Sequence, residues 1–452
     1  MREGLDSSTS TMLGLPWGVL LGVLLWVACI RVRAIHQRTA MVVVLGDVGR
    51  SPRMCYHIAS LVRHGWTVYV AGHFDTQLPR YLCTPQVHRV PLWSPPSFFS
   101  KLPRAIFVLV AAVKVPMQTL SLWLALVART PKPAVVLVQT PPAIPTLMVV
   151  QCACLLTRSR LFLDWHNLAY TLLALRLGPH SPLVRVSETL ERLFGRHADA
   201  HLFVTQAMLR HLAKRWHLRG AMAVLHDRPP AHFHRLSEAD AKAFFDRVGP
   251  MLCAGDRGGA ALAVTSTSWT PDENMHLLLE AASMYEERAC TMPLRSLVIV
   301  ITGKGPLREI FERTIRQRTQ AWKHVRISTA WLSADDYPRL LGAADVGISL
   351  HSSSSGLDLP MKVVDMLGCG LRVCALSFAC LDELIEPGVN GDVFSDAQGL
   401  ASCLERLANA PSDALHTPFL GAEPRSWDAL WDQVVVCLLY TSDAADDLLC
   451  VD

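Results

Sequence analysis

Short β-branched runs recur between longer helical stretches, twice over, and nothing else in this chain limits its fold as strongly. "MVVVLG" (41–46), "TVYVAG" (67–72), "AVVLVQT" (134–140), "LFLDWH" (161–166) and "AHLFVT" (200–205) are near-continuous apolar runs, and "VLHDRPP" (224–230) adds a sixth that ends on two prolines. Such runs lack the in–out alternation of a half-solvated strand, so they predict parallel strands covered by helices on both faces. The pattern restarts at "AVTSTSW" (263–269) and continues through "SLVIVITGKG" (296–305), "VRISTAW" (325–331), "VGISLH" (346–351) and "RVCALS" (372–377). The fold class is therefore α/β. Two Rossmann-like domains, over 39–230 and 263–436, are expected to face a cleft, with 231–262 as a linker carrying polar helix and "GDRGGAAL". At 452 residues the chain can bury two such cores.

Hydrophobic residues make up 51% of the chain and the mean hydropathy is +0.26, high for a purely soluble protein. Part of the excess lies in Met12–Ile30, "MLGLPWGVLLGVLLWVACI", 19 residues without a charge. As a helix rising about 1.5 Å per residue it would span roughly 28 Å, enough for one N-terminal transmembrane helix. Glu3 and Asp6 precede it and Arg31, Arg33 and Arg38 follow, which places everything after it in the cytosol. A cleaved signal peptide is the alternative; the acidic start and the lack of a small-x-small cleavage site weigh against it. Ala105–Ala128 approaches spanning length, but Lys114, Pro116 and Gln118 interrupt it. It is read as helix packed on the sheet that touches the bilayer from one side, with a second span as the alternative.

The net charge of +4 hides an asymmetry: Arg31–Pro230 holds 24 Lys+Arg against 7 Asp+Glu, whereas Ala231–Asp452 holds 18 against 30. A basic half beside a membrane anchor suits membrane lipids or another anionic partner at the bilayer surface. No basic–aromatic motif accompanies it, so no nucleic acid partner is expected. The 13 cysteines are scattered without a C-x-x-C pair, which fits reduced core thiols and argues against a zinc site. Residues 438–452, "LLYTSDAADDLLCVD", have neither core pattern nor motif and are treated as an atypical, non-native tail.

Two loops carry phosphate-binding features. In "HSSSSGLDLPMKVVDMLGCG" (351–370) serines and a glycine follow a strand, and a helix starts near Leu359 or Pro360. Amides and hydroxyls at a helix N-terminus attract anions. Ser353, Ser354, Ser355, Gly356 and Lys362 are the expected phosphate contacts, and Asp365 is placed to accept from ribose hydroxyls. "ITGKGPLREIF" (301–311) repeats the strand–turn–helix order with Gly303, Lys304 and Gly305. Each loop emerges from the C-terminal end of a strand, where open α/β sheets bind ligands, so a nucleotide is expected in the second domain.

"VVVLGDVGRSPRM", "DWHN", "STSWT", "ITGKGPLRE" and "SSSSGLDLPMKVVDM", with their spacing over about Met41–Val436, resemble the chitobiosyldiphosphodolichol β-mannosyltransferases of the endoplasmic reticulum. That resemblance implies a GT-B fold, GDP-mannose as donor, a GlcNAc2-diphosphodolichol acceptor and a site facing the cytosol, in reach of other enzymes of the dolichol pathway. It also adds Ser268, Trp269, Thr270, Asp358 and Leu359 to the donor contacts. Two features depart from related GT-B enzymes. The loop acids Asp358 and Asp365 are separated by six residues, and "STSWTPDEN" lacks a basic residue. Lys304, Arg308 and Lys362 therefore all stay open for the donor diphosphate. No Asp-x-Asp occurs, so no metal and no cofactor beyond the donor is implied. Another nucleotide sugar or acceptor, or a non-catalytic membrane scaffold, are the rival readings.

A β-mannoside made from an α-linked donor requires one direct displacement, hence one general base for the acceptor hydroxyl. Asp47, at the end of the first strand, and His166 of "DWHN" are the candidates, with Asp47 preferred. Gly49, Arg50, Ser51 and Arg53 follow as acceptor contacts, the arginine forks matching phosphate oxygens.

Overall fold

A computed structural model describes residues 36–94, 107–252, 259–270, 273–351, 353, 355–410 and 426–440. The chain divides into two compact units, one built from the residues up to Leu202 with Leu212–Ala223, the other from Phe203–His211 with Val224 onward. Each is a parallel sheet covered by helices. The expected membrane anchor at 12–30 lies outside the described residues. Among the described residues no helix is long and apolar enough to cross a membrane.

The first unit holds β1 (His36–Asp47), α1 (Pro52–Arg63), β2 (Thr67–His73), β3 (Val87–Pro91), α2 (Phe107–Val127), β4 (Pro133–Thr140) and α3 (Thr146–Thr157). It continues with β5 (Arg160–Trp165), α4 (Ala169–Leu177), α5 (Pro182–Gly195), β6 (His197–Phe203) and β7 (Arg219–Val224), while α6 (Gln206–Trp216) is divided between the units, its first part up to His211 belonging to the second. The strand order is β3-β2-β1-β4-β5-β6-β7. The order therefore reverses between β1 and β4, which is where doubly wound sheets open a crevice at their carboxyl ends. Ala40–Val43 and Val135–Val138 at the sheet centre are almost wholly buried, which explains their unbroken apolar character. The residues read as interrupted helix form the single helix α2, with Pro116 inside it.

The second unit begins with α7 (Glu238–Leu252) and β8 (Ala261–Ser266), followed by α8 (Met275–Ala289), β9 (Leu297–Thr302), α9 (Arg308–Thr319) and β10 (Val325–Ala330). Then come α10 (Asp336–Ala343), β11 (Val346–Ser349), α11 (Met361–Gly368), β12 (Arg372–Leu376), β13 (Gly391–Phe394) and α12 (Ala397–Ala408). Its order, β10-β9-β8-β11-β12-β13, repeats the reversal, here between β8 and β11. The two runs with no counterpart in the sequence reading, β3 and β13, each lie at one edge of their sheet, with β7 and β10 at the other edges.

Three boundaries differ from expectation. β7 lies at 219–224 rather than 224–230, because proline cannot donate to a strand ladder and the pair at 229–230 falls outside it. The segment read as a linker contains α7, whose Phe244, Phe245, Val248 and Leu252 are buried against Leu262, Val264 and Val300 of the second sheet. Leu439, inside the segment set aside as a tail, is buried at the end of the last described helix, and 441–452 lie outside the described residues. Replacing Phe244 by alanine should destabilise the second unit by about 3–5 kcal/mol, as removal of a buried aromatic does. A lowered melting transition with earlier tryptic cleavage after Lys242 or Arg247 would register it; an unchanged melt would return the segment to the status of a linker.

Candidate active site

The carboxyl ends of β1, β4 and β5 bring together the loop residues of the first unit. β1 ends on Asp47, a short 3-10 turn spans Val48–Arg50, and Pro52 at the first position of α1 suits its fixed φ. The Asp47 carboxylate accepts from the Thr76 amide at 3.2 Å and the Thr76 hydroxyl at 2.5 Å, and Arg50 Nε stands 3.4 Å away. Burial pushes its pKa up, but the Thr76 hydrogen bonds, the Gly49 amide and the Arg50 charge outweigh this and hold it below the usual carboxylate value. A Cβ at Gly49 would lie 3.0 Å from the Gln77 carbonyl, so this glycine lets the two loops meet. Ser51 donates to Gln139 Oε1 at 2.8 Å, and the Arg50 side chain is 80% exposed.

Arg53 departs from its expected role. It is 3% exposed, and its Nε and Nη2 each donate at 2.9 Å to the two oxygens of Asp164, so the guanidinium is committed to a protein carboxylate rather than presented to an acceptor phosphate. Asp164, wholly buried, also lies 3.2 Å from His57 Nε2 and 2.6 Å from His166 Nε2. Burial pushes the Asp164 carboxyl up, yet Arg53, with His166 and His57, holds it well below 3.8. His166 keeps 19% of its side chain exposed. One imidazole nitrogen fixed on a buried carboxylate leaves the other for a substrate, the geometry of an oriented base. Asp164 was not singled out from sequence. The signal was an acid inside the apolar run "LFLDW", because a buried carboxylate requires a cationic or hydrogen-bonding partner.

In the second unit the ends of β8, β9 and β10 enclose a cavity of roughly 370 Å³ lined by Ser266, Thr267, Ser268, Thr302, Gly303, Trp331, Ser333, Tyr337 and Lys362. Ser268, Gly303 and Lys362 were expected there. Gly303 has φ +140°, and a Cβ on it would lie 1.8 Å from the Thr267 carbonyl; Gly305 would meet the Ser268 carbonyl at the same distance. Both glycines are thus required for the 303–305 turn to approach the 267–269 turn. Trp269 is buried in the core and its amide donates to the Thr267 hydroxyl at 2.8 Å, so it builds the loop, beside half-buried Thr270, rather than lining the cavity.

The three candidate cations are not equivalent. Lys362 Nζ donates to the Ser266 carbonyl at 2.9 Å and pairs with Glu273, a 5% exposed carboxylate that also accepts from the Thr267 hydroxyl and the Ser268 amide. Arg308 is held by Glu312 at 2.7 Å. Lys304 is exposed, with its ammonium 4.3 Å from the centroid of the Trp331 ring.

The serine loop uses its hydroxyls on itself. Ser353 and Ser355 both donate to Asp358 Oδ1, and the Ser353 oxygen accepts from the Gly356 amide at 2.8 Å; Ser354 lies outside the described residues. Gly356 turns the chain at φ +70° and Leu359 packs on the core. α11 starts at Met361, as expected, with Pro360 at its N-cap and no side-chain cap on its first amides. Asp365 does not line the cavity; burial, and then the Asp227 carboxylate, push it up to about 7.

Removing Asp164 tests the first cluster. Asp164→Asn leaves the Arg53 guanidinium buried without its counter-charge and should cost about 3–5 kcal/mol at neutral pH. Folding lowers the proton affinity of Asp164, so its contribution is complete above about 3.8, the ordinary value, and is lost as pH falls below it. Chemical denaturation of both forms across pH 3–7 should show a constant gap that narrows only at the acid end; equal stabilities at pH 7 would remove the buried pair from the account.

Comparison with known proteins extends this picture. The family described as "Glycosyl transferases group 1" matches residues 260–410. The crystal structure of Anabaena Alr3699/HepE in complex with UDP and glucose covers 90% of this chain and all of its own, with a TM-score of 0.56 at 16% identity; that likeness concerns the two-domain GT-B type of fold alone. The Arabidopsis thaliana UDP-glycosyltransferase TURAN is 39% identical over 81% of this chain and 88% of its own. The human chitobiosyldiphosphodolichol beta-mannosyltransferase is 40% identical over 89% of this chain and 92% of its own, and the Yarrowia lipolytica enzyme of that name is 41% identical over 78% and 76%. At this identity and coverage, with a glycosyltransferase domain over its second sheet, the chain belongs to the chitobiosyldiphosphodolichol beta-mannosyltransferase family.

Proposed function

We propose that the chain transfers mannose from GDP-mannose to GlcNAc2-diphosphodolichol, forming the first β-1,4-mannoside of the N-glycan precursor at the cytosolic face of the endoplasmic reticulum membrane. Its family supports the reaction, and the His166–Asp164 pair at the end of β5 is the observation that carries the mechanism. In a single displacement the acceptor hydroxyl oxygen attacks the anomeric carbon as the bond to GDP breaks, and the hydroxyl proton passes to a base. Asp47 was the preferred base from sequence. Its oxygens, however, are occupied by Thr76 and its proton affinity is lowered, whereas His166 has one ring nitrogen anchored and the other unclaimed by Asp164. We therefore assign the base to His166, its orientation to Asp164, and the shaping of the 47–51 loop to Asp47.

Arg50 is the acceptor-diphosphate contact of this reading, being exposed where Arg53 is sealed. The donor belongs to the second unit, its base and ribose in the 370 Å³ cavity, its diphosphate on the first amides of α11 and on Lys304.

Purified full-length chain, GDP-mannose and a short-chain GlcNAc2-diphosphate lipid should give a product that β-mannosidase cleaves. His166→Gln should lower kcat by about 10²–10⁴-fold, the usual worth of a general base, with little change in KM for the donor. Arg50→Gln should raise KM for the acceptor and leave kcat nearly intact. Transfer only from a UDP-sugar would overturn the donor assignment, and a larger kcat loss in Asp47→Asn than in His166→Gln would return the base to Asp47.

A further inference from the structure

A helix layer over a sheet normally turns its apolar stripe inward and a polar face to water. Four helices of the first unit do otherwise. α2 packs on α3, α3 on α5 and α5 on α4, so they form one continuous layer. α3, "TLMVVQCACLLT", contains no charge, and its outward positions Met148, Cys152 and Leu155 follow the i, i+4, i+7 spacing of a stripe. α4 has no buried residue at all although five of its nine residues are Leu or Tyr. Leu155 is 77% exposed, Leu175 65%, Leu193 59%, Leu120 53% and Val186 52%, and these come from all four helices. An exposed apolar patch spread over four packed helices marks a docking surface rather than scattered surface leucines.

The charge beside this face selects the occupant. Where α3 ends, a second cavity of about 660 Å³ opens between Leu155, Arg158, Arg160, His197, Asp199 and Arg219, at the amino ends of β5, β6 and β7; three arginines outnumber the one carboxylate, which accepts from the Leu161 amide at 2.7 Å. Arginines lining a largely apolar cavity suit a phosphate headgroup whose chains continue into apolar surroundings. The unit's strong positive balance repels a second copy of the same face and attracts an anionic bilayer.

We propose that the outer faces of α2, α3, α4 and α5 rest on the bilayer, and that Arg158 and Arg219 of the cavity take an anionic phospholipid headgroup there. The docking surface stands on its own geometry, and only its effect on acceptor use rests on the reaction proposed above.

Full-length chain in vesicles of phosphatidylcholine with phosphatidylserine tests this directly. An environment-sensitive fluorescent amino acid is placed at Leu155, at Leu175, or at Met292, an exposed residue of the second unit. Doxyl-labelled lipid should quench the first two and spare the third. Arg158→Gln with Arg219→Gln should remove the dependence on phosphatidylserine, each arginine being worth about fivefold near an anionic surface. Leu155→Gln with Val186→Gln should raise KM for a long-chain acceptor several-fold and leave KM for the donor and transfer to a short, soluble acceptor unchanged. Absence of quenching while transfer proceeds overturns the surface. Shielding without lipid that grows with protein concentration overturns it in favour of a second copy. Quenching without transfer to either acceptor leaves the surface standing and defeats the proposed reaction instead.

Discussion

The buried carboxylate of Asp164 is the constraint around which the first unit's site is arranged. It sits at the end of an apolar strand with no access to water, and a lone charge there would be prohibitively costly. Its counter-charge comes from Arg53, 111 residues earlier, whose planar fork satisfies both oxygens at once. That single pairing pins the first turn of α1 against the end of β5. With α1 pinned, the loop from Asp47 to Ser51 has a fixed exit, and His57 and His166 approach the same carboxylate from either element. The pair need not add net stability relative to an apolar substitute. What it supplies is register: a helix, a strand end and an imidazole are placed by one ion.

The central strands were legible because burial on both faces leaves an unbroken apolar run, and that cannot be mistaken for a solvated strand. β3 and β13 were not. Each is an edge strand, and β3 exposes His88 and Arg89 while ending on Pro91, so its sequence "VHRVP" carries no such run. α7 is the polar helix expected in the linker, but its place in the core was missed: the glycines of "GDRGGAAL" suggested a linker, although Phe244, Phe245 and Val248 already had the spacing of an inward-facing helix stripe.

At the site, several residues expected to meet an anion have partners within the protein instead. Arg53, Lys362 and Arg308 each have a phosphate-binding chemistry, and each is committed to a carboxylate of the protein. The partners of the first two lie 111 and 89 positions away, a separation at which periodicity and motif spacing carry no information. Ser353 and Ser355 fail in the same way on a shorter scale, since Asp358 competes for the hydroxyls that an anion would use. Gly303 and Gly305, by contrast, were legible as a tight turn; only the structure shows that what approaches them is the 267–269 backbone.

These pairings change how the second unit can hold an anion. Of the three cations weighed for a diphosphate, Lys362 and Arg308 are paired with carboxylates of the protein and Lys304 is exposed, so on the reading proposed above full charge comes from Lys304 and the rest from the first amides of α11. Amides act through direction and short range, whereas ammonium groups act through long-range charge. On the proposed reading such a site discriminates by the shape and placement of a diphosphate more than by its net charge. That fits a unit whose overall balance is acidic, where long-range repulsion would otherwise oppose the approach of any anion that the amides did not fit.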